Sequence, residues 1–188
     1  IGERNIWRPG SMELTAEYLQ KVLAGLGYEV NRQDFEVMEI TVSNLEAEIP
    51  GSSNREEIVL VGAHYDTVIN SPGANDNGSG VAALLELARL LADRPLPRTV
   101  RLVFFANEES PFFYTSDMGS QRYAARSRSR AESIVAMLSL ETLGFYSEAA
   151  LSQQYPFPFG YFYPNKGNFL AIVGNLGSRK LVRRTVSL

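Results

Sequence analysis

Residues 57–63 read Glu57-Ile58-Val59-Leu60-Val61-Gly62-Ala63, an almost unbroken apolar, largely β-branched run, and the next residue is His64, the chain's only histidine. A strand with one wet face alternates apolar and polar side chains. A run without alternation belongs in a sheet covered on both faces, which is the condition of parallel and mixed sheets flanked by helices. Residues 99–106 form a second such run, ending just before Asn107-Glu108-Glu109. Between the two, residues 81–92 carry helical spacing, opened by Gly78-Ser79-Gly80 and closed before Pro95 and Pro97.

The remaining segments extend this alternation. After an irregular start with a Pro9-Gly10 turn signal, Ser11 can cap a helix in which Leu14, Tyr18, Val22 and Leu26 recur at near-helical spacing. Residues 28–37 and 40–49 read as strands. In the second, Val42, Asn44, Glu46 and Glu48 fall on one face and Leu45, Ala47 and Ile49 on the other. A helix over 117–129, a strand over 133–140, a short strand over 168–174 and a helix from Ser178 to the end complete the reading. The expected fold is α/β: three α/β/α layers around a mixed, mostly parallel central sheet of about six strands.

Composition narrows the function classes. With 188 residues and 45% hydrophobic content the chain is about one domain with a real core. The absence of cysteine excludes disulfides and thiolate metal sites. A net charge of −3 argues against binding driven by nucleic-acid phosphates, so no nucleic-acid partner is expected. No apolar stretch reaches the ~20 residues of a membrane span. The chain starts at Ile1, which implies that upstream residues were removed or left out; compartment and oligomeric state stay open.

In an open α/β sheet, ligands gather beyond the carboxyl ends of the strands. His64, Glu108-Glu109 and Glu141 each directly follow a separate expected strand. With thiolates absent, imidazole and carboxylate are the donors a zinc site uses. Asp66, two residues after His64, points the same way in an extended chain and is placed to orient the imidazole. The Gly-rich loop around Asp76 lets the backbone approach closely enough for a bridging carboxylate. Adjacent Glu108 and Glu109 point apart, so one can ligate while the other acts as a base. Taken singly, His64 would more often be an ordinary strand-end histidine, and the Glu108-Glu109 pair a solvated loop.

Four ordered motifs together resemble peptidase family M28, the co-catalytic zinc aminopeptidases: Gly62-Ala63-His64-Tyr65-Asp66; Gly73-Ala74-Asn75-Asp76-Asn77-Gly78-Ser79-Gly80; Asn107-Glu108-Glu109; and Met118-Gly119-Ser120 with Ser139-Leu140-Glu141-Thr142-Leu143-Gly144. The resemblance implies a zinc-exopeptidase domain over residues 1–188, lacking its C-terminal part, and a peptide substrate with a free amino terminus. It implies that His64 and Asp76 bind one zinc, that Asp76 bridges to a second held by Glu109, that Glu108 is the general base, and that Asp66 supports His64. The family's usual Asp at the remaining first-zinc position is here Glu141, one methylene longer, which implies a shifted metal position. A cis Asp76-Asn77 peptide is also implied. The family's second zinc takes a later histidine, and none follows His64. Two zinc ions are therefore expected in the intact protein, and one, or partial occupancy, in this chain. Two rivals stay open: a single-zinc glutaminyl cyclase-like acyltransferase, and an inactive binding module that keeps the fold.

Three other features carry less. Arg122, Arg126 and Arg130 share one helix face and read as solvated, as do Arg179, Lys180, Arg183 and Arg184. The aromatic, Pro-broken stretch over 151–166 reads equally as a substrate-pocket wall, as packing over the sheet, or as a surface that the missing remainder would cover.

Overall fold

A computed structural model describes residues 1–187. The chain divides into two compact units, Ile1–Thr142 and a second beginning at Leu143.

The first unit holds five strands: β1 (Val30–Val37), β2 (Ile40–Ile49), β3 (Asn54–His64), β4 (Arg98–Phe105) and β5 (Ser133–Ser139). They form one sheet in the order β1-β2-β4-β3-β5. β3 runs parallel to β4 and β5, while β2 is antiparallel to both β1 and β4, so the sheet is mixed. Three helices cover it: α1 (Pro9–Gly25), α2 (Gly78–Leu91) and α3 (Gly119–Ser129). On one face Leu19 and Leu23 of α1 and Leu84 and Ala88 of α2 pack in one cluster with Leu45, Ala47, Val61, Ala63, Leu102 and Phe104. On the other, Tyr123 of α3 packs with Leu60, Val103 and Phe105. These are the three expected layers, and they explain why the 57–63 and 99–106 runs lack polar alternation: each strand meets a helix on both sides.

Several local expectations shift. α1 begins at Pro9, where the ring's fixed φ suits the first helical position and its missing N–H costs nothing; Ser11 lies inside the helix rather than capping it. The buried stripe of α1 is Met12, Ala16, Leu19 and Leu23, whereas Leu14 and Tyr18 are exposed. Two apolar stripes share that helix, and the one facing β2 is the one that is buried. β2 is buried on both faces from Val42 to Ala47. Its polar side chains are satisfied beneath α3: Asn44 donates to Gly119 O at 2.8 Å, and Tyr123 Oη donates to Glu46 at 2.7 Å. Arg126 also pairs with Glu46 and stacks over the Tyr123 ring at 4.4 Å, so the arginine face of α3 is not simply solvated.

The second unit carries a 3₁₀ turn, Phe159–Tyr161, and α4 (Arg179–Val186). The strand expected over 168–174 is not formed, so among the described residues five strands stand where about six were expected. Leu170 and Val173 are exposed there, and an apolar run becomes a strand only beside another strand that pairs with it. The final residue of the expected last helix, Leu188, lies outside the described residues. Among the described residues no helix is long and apolar enough to cross a membrane.

Candidate metal centre

His64 is the last residue of β3, held between Phe105 of β4 and the β5 end, where Leu140 N donates to Gly62 O at 2.8 Å. Its ring is buried, and both nitrogens meet carboxylates. Nδ1 lies 3.3 Å from Asp66 Oδ1, while Nε2 lies 3.2 Å from both Asp76 Oδ1 and Glu141 Oε1. A neutral imidazole has one N–H. If that hydrogen serves Asp66, the Nε2 lone pair faces two anionic oxygens, which is repulsive unless a cation lies between them. Burial alone would lower the imidazole pKa, but hydrogen bonds to Asp66 and Glu141, together with their charges, hold it at about 11. In the ion-free protein the cation is a proton.

The donor set fits zinc. One imidazole nitrogen and two carboxylate oxygens converge within 4.8 Å of one another. Zn–N and Zn–O bonds of about 2.0–2.1 Å in a tetrahedron imply donor separations of about 3.3 Å, close to the two 3.2 Å distances. Asp66 accepts on the far side of the ring, the usual arrangement for a ligating histidine. Its second oxygen accepts from Glu109 N at 3.0 Å, tying the β3 end to the segment after β4. Among the described residues, the one histidine, aspartate or glutamate cluster of this kind is His64, Asp76 and Glu141. Glu141, expected from the resemblance to stand in for an aspartate, brings Oε1 to 3.2 Å from His64 Nε2.

Glu108 and Glu109 line the same cavity of about 450 Å³, with Phe105, Phe113 and Met137 as its apolar walls. Glu108 is anchored at the start of α3, accepting from Ser120 N and Ser120 Oγ at 2.7 Å each. Burial raises its pKa, against the pull of those two hydrogen bonds. Glu109 is also raised, by burial and then by the charge of Asp76. Glu109 does not join the converged donors, so the structure brings together three of the four expected metal ligands and leaves this one at the cavity wall.

Asn77 and Ser120 were not singled out from sequence as supports. Asn77 is fully buried. Its Oδ1 accepts from Gly80 N at 3.2 Å, capping α2, and from Thr142 N at 3.1 Å, while its Nδ2 donates to Leu140 O at 2.8 Å. The residue after Asp76 therefore fixes the turn carrying Glu141. The capping half was visible as Asn before a Gly-Ser-Gly helix start; the reach to Leu140 and Thr142 was not. The Asp76–Asn77 peptide is cis, as the resemblance implied. Gly80 admits no side chain, since a Cβ would lie 2.5 Å from Leu140 O.

The chain is similar to several known proteins. The Escherichia coli (strain K12) protein YfbL is 38% identical over 184 residues, covering 93% of this chain and 55% of that protein, so the chain spans about half the relative's length. The structure of BSAP, a zinc aminopeptidase from Bacillus subtilis, shares 32% identity at a TM-score of 0.52, over 62% of this chain and 28% of that one. A glutaminyl cyclase from an Acidobacteriales bacterium shares 25% identity at a TM-score of 0.61, over 78% and 54%. The model of peptidase family M28 matches residues 44–162, a span that takes in His64, Asp66, Asp76, Glu108, Glu109 and Glu141, and the chain belongs to that family.

Proposed function

We propose that this chain carries the metal-binding core of a zinc-dependent aminopeptidase. The observation that carries the reading is the single buried imidazole whose Nε2 faces two carboxylate oxygens at 3.2 Å while Nδ1 is held by a third carboxylate. His64, Asp76 and Glu141 would hold the ion and Asp66 would orient His64. Glu109 and Asp76 would hold a second ion.

A zinc ion at this place supplies Lewis acidity toward a scissile carbonyl and an attacking water. Glu108 takes the proton of that water and delivers it to the departing amine, so that a peptide and water become a free amino acid and a shortened peptide. Its raised pKa makes it a stronger base than an ordinary carboxylate, which suits a group that must accept a proton and then release it. Ser120 keeps its carboxylate aimed from the start of α3. The surrounding carboxylates favour a substrate presenting a free α-ammonium group, and Phe105, Phe113 and Met137 favour an apolar first side chain.

A second reading is supported by the likeness to the Acidobacteriales glutaminyl cyclase and by a site that one histidine and two carboxylates fill. There the same ion and Glu108 would serve cyclisation of an amino-terminal glutamine. Elemental analysis followed by turnover separates the readings. At least one zinc per chain with release of an apolar aminoacyl-anilide supports the aminopeptidase; cyclisation of a glutaminyl peptide without anilide turnover supports the second. Less than one zinc, with no activity after zinc addition, would overturn both enzymic readings for this chain.

A further inference from the structure

Arg4 is buried in the irregular segment before α1, and its guanidinium serves main-chain carbonyls rather than a carboxylate. Nε donates to Tyr65 O, Nη1 to Gly2 O at 2.9 Å and to Pro72 O at 2.8 Å, and Nη2 to Gly73 O at 3.0 Å. The main chain joins in: Thr67 N donates to Arg4 O at 2.8 Å, and Arg4 N donates to Thr67 Oγ1 at 3.1 Å. Beside it, Glu3 Oε1 accepts from Asn70 N at 3.1 Å.

All the partners beyond Gly2 lie between His64 and Asp76, on the connection from β3 to α2, which has no helix or strand of its own. Gly73 is pinned twice, since its carbonyl also accepts from Gly78 N at 3.0 Å, closing the turn that contains Asp76. It has φ +57°, and a Cβ there would lie 2.1 Å from Thr67 Cγ2 and 2.7 Å from Asp76 O, so the clamp also requires glycine. Burial lowers the guanidinium pKa, and the charge of Asp66 opposes that effect.

We propose that the segment containing Glu3 and Arg4 is a latch for the metal site, with Arg4 as a positioning residue that fixes the 65–73 main chain and so sets Asp66 and Asp76 against His64. The inference rests on the metal-site reading above. A planar guanidinium can satisfy several carbonyls in one plane at once, which a lysine ammonium cannot. An ordered connection leaves the ligands assembled before an ion arrives, so binding does not have to order them.

Cobalt(II) tests this, because its visible d–d bands report ligand arrangement independently of turnover. Wild-type chain, Arg4→Met, Arg4→Lys and Thr67→Val are titrated with cobalt and their bands compared at saturation. Loss of the latch predicts about 10- to 100-fold weaker binding in Arg4→Met, the range for partners that orient ligands, and displaced bands in its folded, saturated form. Arg4→Lys should remain impaired, and Thr67→Val should fold and bind several-fold more weakly. Wild-type affinity and bands in Arg4→Met overturn the latch, and full recovery in Arg4→Lys overturns the argument from the guanidinium fork. Should Arg4→Met fail to fold, unchanged affinity in Thr67→Val overturns the proposal. A wild-type chain that takes up no cobalt overturns the metal reading itself, and the latch with it.

Discussion

His64 concentrates the chemistry because one ring must answer three carboxylates. Its pKa, held at about 11 by Asp66 and Glu141 against burial, makes the proton the competitor that any metal must displace. Zinc affinity should therefore rise by about tenfold per pH unit between pH 6 and 8, as one proton is released for each ion bound; calorimetry in buffers of different ionisation enthalpy would show it. The sign for folding is opposite. The folded pKa lies above the unfolded one, so in the metal-free chain His64 adds stability that is fully present below about pH 6.5 and is lost as pH rises toward 11. Chemical denaturation of the metal-free chain at several pH values, compared with His64→Gln, reads that difference. Glu108 makes the second prediction at this scale. Glu108→Gln keeps both contacts to Ser120 possible but removes the base, so zinc content should stay at the wild-type value while turnover is lost. Loss of zinc in parallel would show base and ligand to be misassigned.

At the scale of elements, the decisive question is which face of each segment is covered. Residues 57–63 and 99–106 could be read as doubly buried strands because neither face carries regular polar alternation. β2 could not, because Asn44 and Glu46 alternate with apolar side chains, yet they are buried under α3 with Gly119 O and Tyr123 as partners. Alternation signals a polar face; whether water or a polar network meets it depends on a helix that arrives from far along the chain. α1 shows the same in reverse, with two apolar stripes available and one buried. The start of α3 gives this scale its prediction. A Cβ at Gly119 would lie 2.2 Å from Asn44 Oδ1 and 2.4 Å from Ala106 O, part of it rigid main chain. Gly119→Ala should destabilise the fold by about 1–3 kcal/mol. It should also lower turnover in the folded fraction, because Ser120, which holds Glu108, moves with the helix start; thermal denaturation and active-fraction kinetics separate the two effects.

At the scale of the whole chain, one histidine limits the metal chemistry. The converged cluster of His64, Asp76 and Glu141 offers nitrogen and oxygen donors, whereas the second ion of our proposal would have the carboxylates of Asp76 and Glu109. Zinc titration should accordingly give one tight site and at most one much weaker site, and a stoichiometry of two tight ions would refute that division. The alternation of strands and helices was legible in the residues, and so was the gathering of His64, Glu108, Glu109 and Glu141 at one sheet edge, because each comes just after an apolar run. That residues 168–174 form no strand was not legible, because an apolar run carries no record of whether a pairing neighbour exists.

By itself, the order of residues determined the layered α/β sheet and delivered His64, Asp66, Asp76, Glu108, Glu109 and Glu141 to its carboxyl edge, since hydrophobic periodicity and strand direction are local properties. Only the tertiary structure decided which donors converge, that Glu141 reaches His64 while Glu109 stays aside, and that Asn77 and Arg4 fix the segments between them. Those outcomes depend on hydrogen bonds between residues more than sixty positions apart, and such distances leave no periodic trace in a sequence.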